Sequence, residues 1–150
     1  MSESTRQQAL AVLELRLSLI RLDNGYQTDA GSRIFIGENP VLGENDPEAT
    51  LAIVVREDTL GHQGENVVVT LPVEVQAIVR ADAERPDRTT EAVIADIKTA
   101  VEKDHDLGGT LMRRGLERGK TRPLPRADGS QFVGASVEYV LKFAEGWGRP

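Results

Sequence analysis

A chain of 150 residues has the size of one domain and can bury one sizeable core. Its 39% hydrophobic and 28% charged residues exclude a disordered chain, and no apolar run is long enough to predict a transmembrane helix. The absence of cysteine excludes disulfides and thiolate chemistry, and a formal net charge of −6 argues against general, sequence-independent DNA binding.

Leu10, Leu13, Leu17 and Ile20 recur at helical spacing and predict an amphipathic helix from about Ser4 to Leu22. Ser4 or Thr5 is its expected cap, and Asn24-Gly25 its expected stop. The residues before it lack the basic-then-apolar layout of a secretory signal. From about 23 to 50 the chain is rich in Gly, Pro, Asn and acidic residues. This reads as a long loop holding one short strand at Arg33–Ile36, and long loops usually serve contact or function.

Leu51, Ile53 and Val55 alternate with Ala52, Val54 and Arg56, which predicts a strand covered on both faces. Gly61-His62-Gln63-Gly64 would then turn the chain into an antiparallel hairpin. The next strand carries a strict apolar row, Val67 to Val79 at every second residue, opposite a mixed row that includes Pro72 and Glu74. A proline cannot donate to a central ladder, so Pro72 predicts an edge strand or a bulge.

A second helix is expected from Thr89 to Lys103, with Arg85-Pro86-Asp87 breaking the chain before it and Asp87 or Thr89 as cap. A basic strand follows from Thr110 to Arg122, the first arm of a basic hairpin at about 110–130, and the last strand runs from Val133 to Phe143. The pattern is one α+β domain over residues 1–150, in the order α-β-β-β-α-β-β. Its sheet is largely antiparallel or mixed, with both helices packed on one face.

No Gly-x-Ser-x-Gly elbow and no phosphate-cradling glycine loop is present. Asp104-His105-Asp106 could touch a metal, but three consecutive residues rarely converge on one ion, so a solvated helix end is the expectation. The acidic loop residues Asp23, Asp29, Glu38, Glu44, Asp46 and Glu48 lack calcium-loop spacing. The sequence therefore predicts no catalytic, metal or cofactor site, and no enzyme.

Other features point to assembly. Val68, Ile78, Phe132 and Val140 fall on the sheet face away from the helices, either as an exposed contact surface or covered by the 23–50 loop. Together with Pro72 and Trp147 they are the candidate subunit interface. Arg113, Arg114, Arg118, Lys120, Arg122 and Arg126 form a basic cluster in an acidic protein. Such a cluster would meet an acidic partner or line a channel used by DNA, or else keep an exposed hairpin edge soluble.

The chain resembles the bacteriophage tail terminator, or tail-completion, family. The resemblance rests on the first helix leading into Asn24-Gly25-Tyr26-Gln27-Thr28-Asp29-Ala30-Gly31, on Leu71-Pro72-Val73-Glu74-Val75, on Ala95-Asp96-Ile97-Lys98, and on Gly134-Ala135-Ser136-Val137-Glu138-Tyr139. It implies a virion structural protein, a hexameric ring that caps the tail tube, stops its polymerisation and meets the head connector. Its implied partners are the tail tube protein, the head–tail connector and further copies of itself, with DNA at most passing through the channel and no membrane. Its implied place is the tail at the head–tail junction, after assembly in the host cytoplasm. The competing expectations are a head-closure or neck adaptor, which also forms a ring, and a monomeric module for a small ligand.

Overall fold

The computed structural model describes residues 3–37, 49–125 and 130–150. Helix α1 runs from Thr5 to Ser18, and Ser4 caps it through a reciprocal pair of bonds with Gln7. It ends before the apolar spacing does, because the chain tightens at Leu19 and the backbone of Gly31 docks onto the helix end. Gly31 N–H donates to Ile20 O at 2.8 Å. A Cβ at this position would stand 2.3 Å from Leu17 O, so only glycine fits without rearrangement. The expected stop at Asn24-Gly25 instead closes a short 3-10 turn, Leu22–Asn24, with Gly25 in the left-handed region.

The strands are β1 (Ile34–Ile36), β2 (Ala49–Val55), β3 (Thr59–Gln63), β4 (Asn66–Arg80), β5 (Leu116–Leu124) and β6 (Phe132–Gly146). They form one mixed sheet in the order β1-β2-β4-β6-β5, with β3 also pairing to β4. Only the β1–β2 pair is parallel. Relative to the expected order there is one more strand. Residues expected as a connector, Gly61 to Gln63, belong to β3, and the turn falls at Gly64-Glu65.

Pro72 lies in the central strand rather than at an edge, between β6 and the pair β2/β3. Arg56 N–H donates to Pro72 O at 3.0 Å. The return bond, which Pro72 cannot make, falls where β2 has ended and β3 has not begun. The break in the neighbouring strand is what lets a proline sit there.

Helix α2 spans Pro86–Val101 and starts three residues earlier than expected, since proline is well suited to the first turn. Neither Asp87 nor Thr89 caps it. The Thr89 hydroxyl accepts from Asp82 N–H, and Asp87 pairs with Arg85. Both helices pack on the same sheet face, where Ala9, Leu13, Leu17, Ile97 and Val101 meet the rows Val67–Val79 and Val133–Phe143 in one core. Two polar ties fix the helices. Arg16 forms a two-pronged bond to Asp104, and the Asp96 carboxylate accepts from Gln27 N–H and the Thr28 hydroxyl.

Candidate functional site

The rows of β4 and β6 that face away from the helices carry a polar cluster centred on Glu74, whose residue is only 4% exposed. β2, β4, β6 and β5 converge on it because their registers bring Val54, Glu74 and Glu138 level, with Ser136 opposite both Gln76 and Arg122. Glu74 Oε1 accepts from the Ser136 hydroxyl at 2.6 Å, from Gln76 Nε2 at 3.0 Å and from Arg122 at 3.4 Å, while Oε2 accepts from Arg56. Burial alone would raise the carboxyl, but bonds from Ser136, Arg56 and Gln76 outweigh it and hold the pKa at about 2, against an ordinary 4.5.

Glu138 lies level with Glu74 on the same face, so two carboxylates stand against the two guanidiniums of Arg56 and Arg122. Both arginine side chains remain about half exposed. Two hollows flank the cluster. One, of about 570 Å³, is lined by Ile36, Val54, Arg56, Gln76 and Arg122. The other, of about 180 Å³, lies over Pro72, Glu74, Gly119 and Val140. Chemically the site holds charge in place and offers guanidinium edges to a carboxylate or phosphate.

The expected basic cluster is real in sequence but divided in space, because the irregularity between Arg118 and Thr121 shifts the alternation of β5 and turns Arg122 to the face opposite Arg118. Arg118, paired in register with Tyr139, reaches the helix side and grips Glu102, which also accepts from the Tyr139 hydroxyl. Arg122 points the other way, into the Glu74 cluster. Lys120 sits at the irregularity between Arg118 and Thr121, and Arg113 and Arg114 lie in the turn before β5. These three are exposed and make no ion pair among the described residues. Arg126 lies outside the described residues, as do Glu38, Glu44, Asp46 and Glu48.

Val68, Pro72, Ile78, Phe132 and Val140 are each half-buried on the outer face, and the Arg80 guanidinium stacks 4.9 Å from the Phe132 ring. Trp147, past β6, is 81% exposed. The Asp104-His105-Asp106 turn is structural at two of its residues. Asp104 holds Arg16, and Asp106 accepts from Gly109 N–H. Among the described residues no group of three or more His, Asp or Glu is placed to hold a metal.

Two features escaped the sequence reading. The Glu74 cluster is one. The other is a stripe that starts on α1 and continues past its end, where Leu15, Leu19 and Leu22 are 63%, 41% and 56% exposed, although the opposite side of the helix is already buried. The signal was available: Leu15, Leu19 and Leu22 recur at helical spacing on the side away from Leu13 and Leu17.

Sheet and helices define an α+β protein with its polar centre on the sheet face away from the helices. The sequence matches no protein-family model and no curated protein.

Proposed function

We propose that this chain is a virion assembly protein that works as a closed ring of identical subunits, capping a phage tail tube as the tail terminators it resembles do. The observation that carries the reading is the uncovered apolar surface. Leu15 on α1 with Leu19 and Leu22 just past it, Leu60 on β3, and Trp147 past β6 are large side chains left to solvent in a lone subunit. Large apolar side chains exposed on separate elements of one subunit suit a head-to-tail contact, in which each copy presents different elements to its two neighbours, and such contacts close into rings. The strings that carry the resemblance also include fold-making residues: Gln27 and Thr28 bind Asp96, and Gly31 seats under α1.

The test is the native mass of the purified chain across concentration, with negative-stain images of the largest species. A ring with a central hole is expected, and adding it to polymerising tube protein should limit tube length. A monomer at every concentration would sink the ring. A second reading, a small-ligand module, draws on the hollow of about 570 Å³ beside Arg56 and Arg122. A chain that stays monomeric and gains thermal stability with a small dicarboxylate or phosphate ester would select it.

A further inference from the structure

Two strand edges on opposite sides of the sheet, those of β3 and β5, differ in charge. Among the described residues β3 pairs only with β4, and all five of its residues are exposed. It is flanked by Glu57 and Glu65, both exposed and without an ion pair among the described residues, and by Asp58, which is held by Arg6. On the opposite side of the sheet β5 pairs, among the described residues, only with β6. That edge carries Lys120, with Arg113 and Arg114 in the turn leading into it, and its remaining cations, Arg118 and Arg122, are already paired within the subunit.

Each edge thus presents a row of backbone donors and acceptors with unspent charge of one sign beside it. A free strand edge is a template for another strand, and edges are normally blunted by charge, proline or bulges. β5 has all three, in Lys120, Pro123 and the irregularity after Arg118. Those charges also select. Two β5 edges would set positive against positive, and two β3 edges negative against negative. Only unlike edges attract.

We infer that the β3 edge of one subunit docks against the β5 edge of the next, Glu57 and Glu65 facing Arg113, Arg114 and Lys120, so that the sheets of neighbouring copies join head to tail. The occupant of each edge is a second copy of this chain. This rests on the ring reading above and names its contact. The rule against like edges disfavours two-fold dimers, which would end growth at two subunits, and leaves the rotational contact that closes a ring.

The experiment uses two charge-reversed forms of the full chain. One carries Arg113→Glu with Lys120→Glu, and the other Glu57→Lys with Glu65→Lys. All four residues are exposed and outside the internal ion pairs of the described residues, so both forms should unfold at nearly the wild-type temperature. Each alone should associate about tenfold or more weakly than wild type by analytical ultracentrifugation. An equimolar mixture should recover the large species, because each reversed edge then meets an edge of opposite sign. Raised salt should weaken the wild-type assembly.

Two forms that assemble as wild type does, or a mixture that stays dissociated, would overturn the edge contact while leaving the ring. A wild-type chain that never assembles would overturn both. If a double variant fails to fold, Lys120→Glu against Glu65→Lys gives the same comparison with a smaller effect.

Discussion

The two faces of β4 are held by different physics. Toward the helices, Val67, Val69, Leu71, Val73, Val75, Ala77 and Val79 are all buried in one apolar core. Toward the other side, Val68, Thr70, Pro72 and Ile78 are half-buried around a single carboxylate, Glu74. The first face stabilises by area removed from water, shared among many residues and nearly indifferent to pH. The second concentrates its stabilisation in one ion and its donors. A strand can therefore be robust on one side and conditional on the other.

Truncation separates the two most sharply. Leu71→Ala leaves a cavity in the closed core and is expected to cost about 2–5 kcal/mol, seen as a lower urea midpoint with little dependence on pH. Glu74→Gln keeps the shape and removes the charge from two half-exposed arginines, at an expected cost of about 2 kcal/mol at neutral pH. Because Glu74 ionises far more readily folded than unfolded, its stabilisation is complete above pH 4.5 and is lost as the pH falls from there toward about 2. That loss amounts to roughly 3 kcal/mol, and Glu74→Gln should flatten this part of the acid unfolding curve. An equally steep curve in the variant would move the acid sensitivity elsewhere, to Glu102 or Asp104, which are also held below their ordinary values.

Ser136→Ala removes one donor to that carboxylate and should cost about 1–2 kcal/mol. Combined with Glu74→Gln it should fall short of the sum, whereas Leu71→Ala with Glu74→Gln should add. An additive Ser136 pair would break the view of the outer face as one coupled unit. The smallest effect belongs to Val140→Thr, a half-buried outer position, at about 0.5 kcal/mol or less in thermal unfolding of the subunit.

The fold was legible where a pattern belongs to one segment. The period-two rows of β4 and β6 need only local alternation, and the stripe Val93, Ile94, Ile97, Ala100 and Val101 marks α2 by itself. β3 was not legible. Thr59-Leu60-Gly61-His62-Gln63 has no alternating apolar row and two glycines nearby, and it is a strand because β4 continues past the core and offers it a partner. The end of α1 was hidden for a similar reason. Its apolar spacing runs on to Leu22, but the chain leaves the helix where Gly31, far along the sequence, needs the space.

The Glu74 cluster shows the same limit in a site. Glu74 and Gln76 were visible on the outer row, but Arg56, Ser136 and Arg122 come from 18, 62 and 48 residues away. Only the registers of four strands bring them together. The basic segment erred in the other direction: six cations close in sequence suggested one patch, and the irregularity between Arg118 and Thr121 sends Arg118 and Arg122 to opposite faces.

Pro72 has a consequence for how the molecule breathes. The bond it cannot form lies where the ladder passes from β2 to β3, so the β3 hairpin and the body of the sheet meet at a gap in their hydrogen bonding. Amide protons of Gly61 and Gln63, which face β4, should therefore exchange with solvent through a local opening of that hairpin. Those of Ala52 and Val54 should wait for global unfolding, giving two exchange classes divided at one proline.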